Sequence, residues 1–220
     1  MKYGESAFDI LYLLFAVAVG VSILRRRRDL TGRMMGGAVL ILGLGDAFHL
    51  VPRVLNYFVA GDFTAWLGFG KLVTSITMTA FYVLVYHLWH RVYGEKEDRR
   101  LSIAVWALAA VRVLLCLLPQ NRWLQNEGSV LMGIVRNIPF VLLGCVIVVL
   151  YFRKRAAVRC FRSVWLLVAL SFLFYIPVAA AASLVPMLGM LMLPKTVCYM
   201  LLIWCFRTYA LTVPEGAARS

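Results

Sequence analysis

The chain has 220 residues, 63% hydrophobic and 15% charged, with mean hydropathy +0.84. A soluble domain is about 45–50% apolar and about 25% charged, so this composition excludes a water-soluble enzyme, a disulfide scaffold and a disordered tail, and makes a bilayer the natural solvent. The net charge of +13, from 23 Lys+Arg against 10 Asp+Glu, raises nucleic-acid binding only until the charges are located.

A helix crosses the hydrocarbon core with about 20 mostly apolar residues. Seven segments qualify, near 7–24, 34–59, 65–89, 101–118, 130–152, 163–185 and 187–209. The alternation of a β-barrel is absent, so the spans are helices, which satisfy their own backbone. The predicted fold class is therefore all-α integral membrane, with seven transmembrane helices. One Lys precedes the first apolar run and no small-residue cleavage site follows it, so 7–24 is read as a retained span.

The charges orient the bundle. One set of loops holds Arg25–Arg28, Arg33, Arg91, Lys96, Arg99, Arg100, Arg153, Lys154, Arg155, Arg159 and Arg162, and the C-terminal end adds Arg207 and Arg219. These are 16 cations, against Lys2 and Arg122 on the other side. Positive loops stay inside, which predicts an outer N-terminus and a cytoplasmic C-terminus in the cell membrane. Most of the charge is thus a topology signal that also meets anionic lipid headgroups, and nucleic acid is not an expected partner. None of the five Cys falls in an outer loop, so no disulfide is expected.

Spans 1–3 resemble spans 5–7 in order and direction. DILYLLFAVAVGVSILRRR from Asp9 aligns without a gap on NIPFVLLGCVIVVLYFRKR from Asn137, at an offset of 128. Pro52 meets Pro177 at an offset of 125, and GKLV around Lys71 meets PKTV around Lys195 at an offset of 124. The expected organisation is a first triple-helix repeat over 1–100, a linker helix and outer loop over 101–128, and a second repeat over 129–220. Parallel repeats of this kind occur among transporters.

This 3+1+3 pattern, with an outer N-terminus and prolines within spans 2, 5 and 6, resembles the SWEET/PQ-loop superfamily. Where that superfamily carries Pro-Gln, span 5 has Ile138-Pro139, and span 1 has no proline. The resemblance implies a carrier in which paired residues of spans 3 and 7 contact the substrate. By topology those positions are Lys71 and Lys195, and Pro52, Pro139 and Pro177 are candidate hinges.

Ionisable residues inside spans are costly and are functional hypotheses by default. Here they are Asp9, Asp46, His49, Arg53, Lys71, Arg112, Arg136 and Lys195. In GDAFHLVPR, Asp46, His49 and Arg53 stand at i, i+3 and i+7 on one helical face, which Asn56 extends. Pro52 removes a donor and frees the Phe48 carbonyl. As ion pairs fixing helix register, Asp9 is expected to satisfy Arg136 or Arg112, and Asp46 to satisfy Lys71 or Lys195. Five cations against two anions still leave positive charge over. An outward, cationic site for a small anion or a lipid headgroup follows. Its expected ligand-binding residues are Asp46, His49, Arg53, Lys71, Arg136, Asn137, Tyr175 and Lys195, with Asp9 and Arg112 as structural ion-pairing residues.

Other chemistry has less support. His87 and His90 sit at the end of span 3 with Glu95 and Glu97 beyond, a solvated helix end rather than a metal site. A haem would need a second ligand besides His49. A retinal Schiff base on Lys195 would need a span 3 carboxylate, which is absent. No cofactor, metal or catalytic residue is expected. The leading expectation is a carrier for a small anionic or zwitterionic solute. The alternatives are a non-transporting seven-helix receptor or sensor, and a lipid-modifying enzyme using Asp46 and His49 as acid and base.

Overall fold

Asp29 sets the first turn of the chain. Its carboxylate accepts from the Gly32 amide at 3.0 Å and so caps a helix. It also takes both arms of the Arg27 guanidinium at 2.9 Å. Arg27 reaches on to the Val213 carbonyl at 3.1 Å, which ties this turn to the far end of the last helix. The structure is a computed structural model describing residues 2–126, 129–181 and 185–214.

Seven helices long and apolar enough to cross a membrane are present among the described residues. They are α1 (Lys2–Arg26), α2 (Leu30–Phe58), α3 (Thr64–Tyr93), α4 (Arg99–Leu117), α5 (Val130–Arg153), α6 (Val164–Ala181) and α7 (Met192–Thr212). This all-helical architecture is compatible with a multi-pass membrane protein. Pro52, Pro139 and Pro177 lie inside α2, α5 and α6. The seventh candidate span runs Met187–Thr212, starting where the sequence places it; its first turns, Pro186–Leu191, are 3₁₀, and α7 proper begins at Met192. The end of span 6, at 182–184, and Arg219 lie outside the described residues.

Packing partners define the bundle. α1 packs on α2, α2 on α3, α3 on α5, α5 on α6, α6 on α7, and α7 back on α1. These six close a ring, and α4 lies against α3 and α5. Tyr57 near the end of α2 bonds Glu5 at the start of α1, so those helices are antiparallel. Below, the face holding the start of α1 is the N-terminal face, and the one holding Arg27 is the basic face.

Toward the basic face the interior is aromatic. Phe81, Tyr82, Tyr86, Tyr151, Phe161 and Phe206 are fully buried. Trp89 Nε1 donates to the Leu150 carbonyl at 2.9 Å and the Tyr151 hydroxyl to the Val85 carbonyl at 3.0 Å, joining α3 to α5. Phe161 stacks on Tyr209 at 5.0 Å between centroids. At the basic face, Lys154 pairs with Glu95, and His87 of α3 lies 3.3 Å from Glu97.

At the N-terminal face a loop folds back onto the bundle. Two 3₁₀ turns, Pro119–Asn121 and Trp123–Gln125, follow α4. A Cβ on Gly68 would stand 1.4 Å from the Trp123 carbonyl oxygen, so only glycine lets this loop settle on α3. Two residues on, the Phe48 carbonyl that Pro52 leaves without a helical partner is pressed against Gly70, where a Cβ would come within 2.1 Å. In the loop between α2 and α3, on the same face, the Thr64 hydroxyl and amide beside Asp62 hold its carboxyl below the usual value.

Candidate functional site

Each helix sends at least one polar side chain into the bundle, and these join into one central network. From α1, the Tyr12 hydroxyl donates to Asp46 Oδ2 on α2 at 2.7 Å. Lys195 on α7 is the cation whose field reaches Asp46, but the two do not close an ion pair. Lys195 lies between two aromatic rings, with Nζ 4.9 Å from the centre of Tyr175 and 5.3 Å from that of Tyr199. The Tyr175 hydroxyl, on α6, donates to Asn137 Oδ1 on α5 at 2.8 Å. The same oxygen accepts from Arg112 Nη1 on α4 at 3.1 Å. Tyr199 shares a 3.2 Å contact with the Tyr82 hydroxyl of α3, which lies 3.3 Å from Ser171 Oγ.

Two cations sit deep in this network. Arg112 is 2% exposed and Lys195 7%. The Arg112 guanidinium lies 3.5 Å from the centre of the Phe140 ring, a close cation–π contact. Its Nε is buried without a hydrogen-bond partner among the described residues. Lys195 stands in the first turn of α7, where the positive end of the helix dipole disfavours a cation.

Two more cations lie above them. Arg136 Nη1 donates to Asn121 Oδ1 at 2.7 Å, and its guanidinium faces the Trp123 ring at 4.4 Å. Lys71 Nζ donates to Asn126 Oδ1 at 2.7 Å. Asn121 is held in turn by the Leu115, Cys116 and Leu118 carbonyls. Successive members of the row Lys71, Arg136, Arg112 and Lys195 are close enough to repel. His49 lies within the electrostatic reach of Lys71, Arg53 and Lys195.

The ion pairing differs from the expectation. Asp9 pairs with Arg53 at 3.5 Å, not with Arg136 or Arg112. Glu5 meets the same guanidinium at 3.5 Å, so Arg53 faces two carboxylates. The reason is local: Arg53 is on α2, which packs along the start of α1, whereas Arg112 is on α4, away from α1. Arg53 therefore belongs to an α1–α2 clamp beside the network. Asp46 and His49 do not form an acid–base pair: Asp46 Oδ2 takes the Tyr12 hydroxyl, and His49 Nδ1 is buried without a partner among the described residues. No group of three His, Cys, Asp or Glu among the described residues could hold a metal ion. Tyr82, Ser171, Asn121 and Asn126 were not foreseen, because only the packing of α3 and of the loop after α4 brings them to the charges. An apolar groove of about 440 Å³ at Pro52, Leu55 and Trp66 lies apart from the network.

Comparison with known protein families, with curated proteins and with solved structures yields no match to this chain.

Proposed function

We propose that the chain is a carrier of the cell membrane for a small anionic or zwitterionic solute, bound at the row Lys71, Arg136, Arg112 and Lys195. The observation that supports this most is the chemistry of the partners. Three of the four cations hold the amide oxygen of an asparagine: Asn126, Asn121 and Asn137 respectively. Aromatic faces, Trp123, Phe140, Tyr175 and Tyr199, supply the other contacts. Neutral acceptors orient a cation without cancelling its charge. A row meant only to fix helix register would be expected to use carboxylates, as Arg53 does with Glu5 and Asp9. Buried net charge costs several kcal/mol unless something compensates it, and an anionic solute does so.

Carriage, as opposed to binding alone, is supported by the order of packing. Under a parallel repeat that maps α1, α2 and α3 onto α5, α6 and α7, the pairs α1–α2 and α2–α3 map onto α5–α6 and α6–α7. The closing contacts α3–α5 and α7–α1 exchange with each other. Two triple-helix halves, with α4 as linker, can then rock about the site, with Pro52, Pro139 and Pro177 as hinges. The outer N-terminus of the positive-inside reading places Lys71 and Asn126 at the outer mouth.

Uptake into proteoliposomes tests this. Labelled sulfate, nitrate and lactate are offered at equal concentrations. Saturable uptake of at least one, lost in Lys195→Met and in Arg112→Gln, is the expected result. Binding without uptake favours a receptor. No binding of any of the three, in protein that remains folded, rejects the reading.

A further inference from the structure

Among the described residues the central network holds one carboxylate, Asp46, which the Tyr12 hydroxyl orients at 2.7 Å and which lies within the electrostatic reach of Lys195 without closing an ion pair. Asp46 is faced from three neighbouring helices. From α1 come the Tyr12 hydroxyl at 2.7 Å and, farther off, the Asp9 carboxylate. From α7 come the Lys195 ammonium and the Tyr199 hydroxyl. On α3, Thr74 donates to the carbonyl of Gly45, the residue before Asp46, and Thr77 packs on the same glycine with its hydroxyl turned to Val73, while Lys71 lies one turn away within reach of His49. His49 is the titratable neighbour on α2 itself.

Lys195 and Asp46 therefore depend on each other. The ring faces of Tyr175 and Tyr199 attract the ammonium but carry no full charge, and the start of α7 opposes it. An anion that docks on Lys195 supplies the charge that Asp46 supplied before. It also brings like charge toward the carboxylate, which favours the protonated acid. We propose that Asp46 is the proton-binding site of this carrier, taking up one proton from water when an anion occupies Lys195 and releasing it when the anion leaves. The inference rests on the anion-carrier reading. No covalent bond is made: the proton goes to the Asp46 carboxylate, which keeps the Tyr12 hydrogen bond. A monovalent anion then crosses with one proton, and the pair carries no net charge. His49 is a poorer site, because its protonation adds a cation beside Lys71, Arg53 and Lys195.

Proton uptake on anion binding is the test, read with a pH indicator in lightly buffered detergent solution. Sulfate, nitrate and lactate are the probes, and Asp46→Asn is compared with wild type. The wild type is expected to take up close to one proton per anion bound, and its affinity to fall about tenfold per pH unit above the titration of Asp46. Asp46→Asn is expected to take up none and to bind more tightly, with an affinity independent of pH. Proton uptake that persists in Asp46→Asn, or that is lost in His49→Gln and kept in Asp46→Asn, overturns the inference and leaves the carrier reading standing. Failure of both wild type and Asp46→Asn to bind any probe removes both.

Discussion

Asn137 Oδ1 accepts from Arg112 Nη1 at 3.1 Å, so a guanidinium that is 2% exposed is oriented by a neutral amide. The same oxygen takes the Tyr175 hydroxyl at 2.8 Å, and Asn137 Nδ2 donates to the Gly133 carbonyl at 2.8 Å. One asparagine thus joins α4, α5 and α6 and leaves the charge of Arg112 in place.

Two substitutions separate those roles. Asn137→Leu strips the acceptor from a buried cation and is expected to destabilise by about 3–5 kcal/mol. Asn137→Asp keeps an acceptor for Arg112 and Tyr175 but cancels the charge. It loses the donor to Gly133, about 1–3 kcal/mol, which the stronger bond to Arg112 offsets. Its fold is expected to survive while anion affinity falls by about tenfold or more, about 1.4 kcal/mol. Thermal unfolding in detergent and ligand binding on the same sample read the two effects apart. Retained affinity in Asn137→Asp would count against the site.

The loop after α4 rests on Gly68. Gly68→Ala would drive a methyl group into the Trp123 carbonyl, and overpacking of this kind costs about 1–3 kcal/mol. The loop should lift, releasing Asn126 from Lys71 and Asn121 from Arg136, which raises protease cleavage between residues 118 and 126. Gly37→Ala is the comparison: Gly37 is half-buried and a Cβ there meets nothing within 4 Å, so this unobstructed helix position should gain up to about 1 kcal/mol. Equal Tm changes of one sign in both variants would contradict the geometry.

Arg27 ties the α1–α2 turn to the end of α7 through Asp29 and the Val213 carbonyl. Lysine keeps the charge but cannot reproduce the planar fork. Arg27→Lys should therefore lower Tm, and Arg27→Ala should lower it further. A lysine variant as stable as the wild type would show that charge alone matters there.

Orientation is read by labelling single cysteines in a background without the five native ones. With an outer N-terminus, Asp62→Cys reacts with a membrane-impermeant maleimide in intact cells, and Arg155→Cys reacts only after permeabilisation. The reverse pattern would place the basic face outside and the mouth at Lys71 inside.

The number of spans, the division of cations between two faces and the prolines within helices are properties of the sequence alone. They follow from local quantities: twenty apolar residues match a bilayer, and loop charges are countable along the chain. The intramembrane charges are legible in the same way, because any ionisable group in an apolar run stands out. Their partners are not. Asp9 faces Arg53, and Arg112 faces Asn137, because helix packing puts α1 beside α2 and α4 beside α5. Asn121 and Asn126 belong to the network only because Gly68 lets a loop settle on α3. Sequence determines which charges enter the membrane, and tertiary structure decides which of them are cancelled, since neutralisation acts over a few ångströms between segments far apart in the chain.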